Sequence, residues 1–186
     1  EKERRQDRKL GQMTSVRPFQ LSDLFKFNNV NLDTLTETYV LPFYMQYLAK
    51  WPEYFMATRA PGSDRLTGYI MGKVEGEGEK WHGHVTAVTV SPEYRRLGYA
   101  QNLMKFLEDV TEKVHNGYFV DLYVRASNDV AIGMYKKMKY SVYRRVIGYY
   151  SGEEDAFDMR KALPRDVHKK SIIPIPEPVL PGPDDD

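Results

Sequence analysis

Cysteine is absent from the 186 residues. That excludes disulfides, thiolate metal sites and a covalent thioester on the enzyme. Charge of one sign is absent too. The 27 Lys and Arg offset 26 Asp and Glu, leaving a net charge of +1, so no strong field calls for nucleic acid or an acidic membrane. No apolar run reaches the length of a bilayer span, and no secretory leader pattern is visible. The expected compartment is the cytosol. Internal repeats are missing as well. What is plentiful is tyrosine, with 14 residues, and several fall in the motifs below. Hydrophobic residues make up 41% and charged residues 28%, an ordinary balance for one domain with a real core.

The most informative stretch is 85–100. Val85, Val88 and Val90, with Thr86 and Thr89 between them, are β-branched and suit a pleated, mostly buried strand. Ser91 and Pro92 end it, because proline lacks the N–H a ladder needs. Leu97, Ala100, Leu103, Met104, Leu107, Val110 and Val114 then recur at helical spacing, one face of a helix. Asn116 and Gly117 tolerate the left-handed conformation that closes it. A helix start leaves N–H groups without intrahelical acceptors and carries partial positive charge, so it suits an anion. Gly98 allows close approach to the backbone, Ala100 keeps the next turn narrow, and Arg95 and Arg96 can pair with phosphate. Strand, turn, Arg-x-x-Gly-x-Ala and helix together predict a phosphate-binding join.

Arg95, Gly98 and Ala100 resemble the acetyl-CoA signature of the GNAT acetyltransferase superfamily. Other stretches narrow the resemblance: LTETY (35–39), PFY (42–44), WPEYF (51–55), WHGHVT (81–86) and Tyr149 with Tyr150. These look like the catalytic subunits of NatB-type N-terminal acetyltransferases, and the similarity runs from about Met13 into the proline-rich tail.

Residues 1–12 are highly charged and aperiodic, and read as an expression remnant or a disordered arm. Residues 13–163 read as the acetyltransferase domain and 164–186 as a proline-rich tail. Residues 16–19 suit an edge strand. Ser22 or Asp23 caps a first helix carrying Leu24, Phe25, Phe27 and Asn28, and 31–34 breaks it. A loop over 35–41 leads to a second helix with Pro42 in its first turn, ended by Pro52. Strands follow at 54–58 and 66–74, joined by a turn at 61–64, with an acidic hairpin tip at 75–79. After the central strand and long helix, the apolar run 118–124 reads as a buried strand. A short helix then runs from a cap among 126–129 to Met138, followed by strands at 141–150 and 157–163 with an acidic loop between. The tail, crowded with prolines, is expected to make neither helix nor ladder; Ser171, Ile172 and Ile173 are its candidate docking point. The order is α/β with a mixed, mainly antiparallel central sheet flanked by helices. It matches the GNAT fold, in which neighbouring central strands splay to admit acetyl-CoA.

The resemblance implies roles for particular residues. The backbone of Val88 and Val90 would pair with the pantetheine arm, and Arg95, Arg96, Leu97, Gly98, Tyr99 and Ala100 would hold the pyrophosphate. Asn128 would bond pantetheine or a water near the reaction centre, and equally suits a plain N-cap. Tyr135 would protonate the departing thiolate, against the alternative of a core tyrosine with its hydroxyl satisfied elsewhere. Lys139 stands where glycine is common, which places the following turn in question. His84 and Thr86 would sit in the peptide pocket and bond an acidic or amide side chain at substrate position two; His84 could also carry a proton. Glu37 and Tyr39 on one side, and Tyr149 and Tyr150 on the other, would wall the peptide groove. His82 and His84 fall on one side of a strand, yet no carboxylate or Cys near them in sequence completes a ligand set, so no metal is expected.

The expected reaction is direct attack of a peptide α-amine on the acetyl thioester, with acetyl-CoA as co-substrate and catalysis by Tyr135, His84 and Asn128. The resemblance implies substrates beginning Met-Asp, Met-Glu, Met-Asn or Met-Gln. It also implies a large helical-repeat auxiliary subunit and, through it, the ribosome and nascent chains. Phe25, Phe27, Tyr44 and Tyr47 would supply that interface or else the core. An acetyltransferase for lysine or a small amine, and a non-catalytic acyl-CoA-binding module, are the alternatives.

Overall fold

The computed structural model describes residues 16–32 and 36–182. The charged segment 1–12, Met13, residues 33–35 and the closing aspartates lie outside the described residues.

Seven strands form one sheet in the order β1-β2-β3-β4-β5-β7-β6. They are β1 (Val16–Pro18), β2 (Met56–Arg59), β3 (Leu66–Glu75), β4 (His82–Val90), β5 (Phe119–Arg125), β6 (Ser141–Tyr150) and β7 (Glu154–Ala162). Pairing is antiparallel for β1–β2, β2–β3, β5–β7 and β6–β7, and parallel for β4–β5. Three helices accompany them: α1 (Leu41–Lys50), α2 (Tyr99–Lys113) and α3 (Asp129–Lys137). The chain divides into two units. One comprises residues up to Lys73 together with Ala87–Leu107; the other comprises Val74–Thr86 and the chain from Glu108 onward.

The first unit is built on aromatic rings. Phe19 stacks on Phe55 with centroids 4.1 Å apart, and Phe27 meets Tyr44 edge-on at 5.2 Å. Tyr47, Tyr69, Leu24, Val30, Leu66 and Met71 complete this core. Phe27, Tyr44 and Tyr47 are therefore core residues, whereas Phe25 is 77% exposed. The expected first helix is only a 3-10 turn, Leu21–Phe25. Neither Ser22 nor Asp23 precedes it as a cap. Asp23 lies inside the turn, accepts the Gln20 N–H at 2.8 Å and pairs with Arg17 at 2.6 Å. A buried carboxylate with those partners is more stable there than exposed at the cap. α1 starts one residue before Pro42 and ends at Lys50, ahead of Pro52, because proline has no N–H to continue a helix.

In the second unit Phe119, Val120, Leu122 and Val124 of β5 are buried. β4 meets β5 in parallel from His82↔Phe119 to Val85↔Leu122. Gly83 is required there: a Cβ would come within 2.1 Å of Thr111 Oγ1 on α2. Leu103, Met104, Leu107 and Val110 of α2 are buried as expected. Leu97 and Val114 are exposed because they lie outside the helical turns. The left-handed residue after α2 is Asn116, at φ 49°. β7 begins at Glu154, earlier than expected, since Glu154 pairs with Arg125 and Asp155 with Arg145; paired acids need no loop.

The tail departs most from expectation. It makes a 3-10 turn over Lys170–Ile172 and then runs beside β6. The N–H groups of Ile175 and Val179 donate to the carbonyls of Tyr143 and Arg145 at 2.7 and 2.9 Å, and the Ile147 N–H returns to Val179 at 2.8 Å. Prolines 174, 176 and 178 occupy the other positions, so the missing donors do not break the pairing. Asp166 anchors the approach by accepting the N–H groups of Lys170 and Ser171 and the Ser171 hydroxyl. Ile173 is exposed; backbone pairing, rather than the isoleucines, docks the tail.

Candidate active site

The anion-binding turn belongs to the first unit. β4 ends at Val90, and Pro92–Tyr94 forms a 3-10 turn. Arg96 and Gly98 then take left-handed conformations at φ 62° and 83°, on either side of Leu97, whose φ is not positive. Alternation of this kind turns successive N–H groups toward one side, where they can cradle an anion. The Gly98 carbonyl accepts the Asn102 N–H at 3.0 Å and so opens α2. A Cβ placed at Gly98 would meet nothing within 4 Å. The space beside the turn is open, and it is the backbone conformation that favours glycine. Arg95 is anchored by its Nε to the Val90 carbonyl at 3.1 Å. Arg96, Leu97 and Gly98 are exposed, Ala100 is partly buried and the Tyr99 ring is buried, so Tyr99 offers a ligand its backbone only. Exposed backbone donors, two arginines and open space fit a pyrophosphate. Val88 is half-buried and Val90 buried.

Glu37 and Tyr39 are in the same unit. Glu37 is exposed. Tyr39 stacks on Phe43 with centroids 4.4 Å apart, and its N–H donates to the Tyr44 hydroxyl at 3.2 Å. The rings of α1 thus fix the loop that carries Glu37.

The second unit holds the remaining candidates. His84 is buried, and its Nδ1 lies 2.8 Å from Asp121 Oδ1. His82 Nε2 lies 3.2 Å from the other Asp121 oxygen and 3.8 Å from Glu75. The expectation that no carboxylate accompanies the histidines is corrected here. Strand pairing, invisible in linear spacing, sets His84 opposite Asp121. Ligand atoms of Glu75, His82 and His84 all lie within 4.8 Å of one another. Burial would raise the Asp121 pKa, but the two imidazoles outweigh it and hold the carboxyl well below its usual range. Burial likewise opposes a charged His82; Asp121 and the Lys80 carbonyl outweigh that and raise its pKa. Thr86, two residues after His84, is half-buried.

Asn128 is the N-cap of α3, its Oδ1 accepting the Ala131 N–H at 3.1 Å. The same helix carries Tyr135, which is buried and edge-on to Tyr140 at 6.0 Å. Among the described residues the Tyr135 hydroxyl has no hydrogen-bond partner. Burial pushes its pKa well above that of free tyrosine, so it stays protonated at neutral pH and can only donate. Tyr149 stacks on Tyr123 at 4.6 Å and meets Tyr150 edge-on at 5.0 Å. The guanidinium of Arg125 lies 4.1 Å over the Tyr150 ring. Both tyrosines follow a bulge at Gly148, φ 61°, whose N–H donates to Asp155 at 2.8 Å; such a bulge re-aims side chains.

Residues 20–140 match the model of the acetyltransferase (GNAT) family. The chain belongs to the GNAT acetyltransferase family. It is 64% identical over 169 residues to N-alpha-acetyltransferase 20 of Dictyostelium discoideum, covering 91% of this chain and 97% of that protein. It is 62% identical, with the same coverage, to the N-terminal acetyltransferase B complex catalytic subunit NAA20 of Arabidopsis thaliana. Among solved structures it resembles Chaetomium thermophilum Naa20 in complex with a bisubstrate analogue, with a TM-score of 0.85 and 42% identity over 90% of this chain and 97% of that one. It also resembles a chain of the NatB acetyltransferase complex bound to CoA and MES, with a TM-score of 0.74 and 46% identity over 81% and 99%. The seven-stranded mixed sheet flanked by helices is the GNAT fold.

Three residues of this GNAT site escaped the sequence reading: Asp121, Glu75 and Tyr123. One signal was available. Asp121 interrupts an otherwise apolar buried strand, and a buried carboxylate needs partners.

Proposed function

We propose that this chain transfers acetyl from acetyl-CoA to the α-amine of protein N-termini beginning Met-Asp, Met-Glu, Met-Asn or Met-Gln, as the catalytic subunit of a NatB-type complex. The observation that carries the reading is the similarity to a NatB catalytic subunit along nine-tenths of the chain.

The turn from Arg95 to Ala100 holds the pyrophosphate on backbone N–H groups and arginine charge. Val88 and Val90 present strand backbone to the pantetheine arm, and Asn128 adds a bond beside its capping role. Glu37, Tyr39, Tyr149 and Tyr150 line the path of the peptide, while His84 and Thr86 recognise position two. An α-amine has a pKa of about 7.7–8.0, so a neutral fraction is already present near pH 7. Attack forms the nitrogen–carbon bond, and collapse breaks the carbon–sulfur bond. Nε2 of His84, directly or through a water, takes the proton that the nitrogen loses. Tyr135, a hydroxyl with no other partner, donates to the departing sulfur. Positioning accounts for much of the rate.

The partner would be a large helical-repeat subunit that brings the enzyme to ribosomes and nascent chains in the cytosol. Exposed Leu21 and Phe25, with Leu41 and Met45 one turn apart on the outer face of α1, offer it an apolar surface. No helix among the described residues is long and apolar enough to cross a membrane.

The test is acetyl transfer from labelled acetyl-CoA to peptides beginning Met-Asp, Met-Leu and Ser-Gly, and to an acetyl-blocked Met-Asp peptide with an internal lysine, with and without the auxiliary subunit. Activity confined to free Met-Asp supports the reading. Activity on the blocked peptide moves the substrate to lysine, and binding without turnover on any peptide favours the non-catalytic module.

A further inference from the structure

We propose that Asp121 and His82 are positioning residues for His84: together they hold it as a neutral imidazole with its Nδ1–H donated to Asp121 and its Nε2 left as proton acceptor. The inference rests on the reading of His84 as the group that takes the amine proton.

Hydrogen-bond direction assigns the protons. His82 Nδ1 lies 2.6 Å from the Lys80 carbonyl oxygen. A carbonyl only accepts, so Nδ1 carries hydrogen. His82 Nε2 faces the carboxylates of Asp121 at 3.2 Å and Glu75 at 3.8 Å. Ionised carboxylates also only accept, so a lone pair at Nε2 would face two negative groups. Nε2 therefore carries hydrogen as well, and His82 is an imidazolium. For His84 the Nδ1 faces Asp121 Oδ1 at 2.8 Å and is likewise the donor. Glu75 from β3, Asp121 from β5 and Asp158 from β7 supply three carboxylates. Asp158 is fully buried and is paired with Arg144 of β6 and Arg160 of β7, each at 2.9 Å. Those two arginines and His82 are three cations. The group is neutral with His84 uncharged and would hold an excess charge otherwise. The neighbours that remain are uncharged. Tyr123 faces the His84 ring at 5.8 Å, and Phe119 stacks on the His82 ring at 4.5 Å. The Tyr140 hydroxyl, turned to Glu108 at 3.0 Å, is kept protonated by burial and that carboxylate. The raised pKa of His82 and lowered pKa of Asp121 go the same way.

The test has two arms. Nitrogen-15 NMR of the imidazoles in the full chain near neutral pH reads the protons without any variant. The expected result is both nitrogens protonated in His82 and only Nδ1 in His84; a neutral His82, or a charged His84, overturns the proposal. The second arm is the pH profile of kcat/KM for His82→Gln. Glutamine still donates to Asp121 but brings no charge, so Asp121 draws a proton onto His84 more strongly. The acid limb should move up by about one pH unit, the size expected when an opposite charge a few Å away is lost. A merely structural role would lower the rate by one factor at every pH, and that result overturns the proposal. The expected NMR pattern with an unmoved limb refutes His84 as acceptor of the amine proton instead.

Discussion

The N–H of Tyr140 donates to the carbonyl of Tyr135 at 3.0 Å, across a turn whose pivot is Lys139 at φ 73°. The helix that presents Tyr135 is thus closed by a lysine in a backbone conformation that glycine adopts freely. Sequence placed this turn in question because lysine stands where glycine is common; the turn forms, with its pivot left-handed. Lys139→Gly relieves that strain at the cost of more freedom in the unfolded chain, and should raise stability by up to about 1 kcal/mol. Urea denaturation checks it.

Tyr135→Phe removes the one hydroxyl proposed to meet the leaving sulfur. Turnover should fall by about 10²-fold, the lower range for a positioned proton donor, with acetyl-CoA affinity close to wild type by calorimetry. Unchanged kcat would remove Tyr135 from the chemistry.

Gly83→Ala drives a methyl group into Thr111 Oγ1. Overpacking of this kind costs about 1–3 kcal/mol. Thr111→Ala in the same chain should recover part of the loss, which a double-mutant cycle in urea would read.

Stability should follow pH through the two perturbed groups on β4 and β5. The folded pKa of His82 is raised. Its contribution is complete below the free value of about 6.5 and fades as pH rises through the folded one. Asp121 is the reverse: its folded pKa is lowered, so its contribution is complete above about 3.9 and is lost as pH falls. The stability gap between wild type and His82→Gln should be widest near pH 6 and shrink toward about pH 9. Melting curves across that range test the sign.

Leu21→Ser together with Phe25→Ser alters exposed side chains only. The melting temperature should change little, whereas co-purification with the auxiliary subunit should drop. Retained co-purification would place the interface elsewhere.

Much of this fold was legible because its signals are local. The period-two run of valines and threonines gave β4, the spacing of Leu103, Met104, Leu107 and Val110 gave the buried face of α2, and the residue pattern gave the turn at Gly98. What escaped depends on distant pairing. Asp121 and His84 are 37 residues apart, and nothing in linear spacing joins them before β4 and β5 lie in parallel. Phe27, Tyr44 and Tyr47 look like surface aromatics until Phe19, Phe55 and Tyr69 enclose them. Asp23 reads as a cap, yet Arg17 draws it inside. The tail was misjudged because proline content was weighed without asking which residues would donate.

Prolines 174, 176 and 178 leave three of the five residues 174–178 without a donor. The N–H groups of Ile175 and Val179 are spent on β6. The sheet therefore ends in a segment that can be zipped on but offers little for a further strand to grip. An uncovered β6 would be an open template for a neighbouring chain. The tail works as a selvedge, finishing the woven margin so that it neither frays nor is sewn to another molecule.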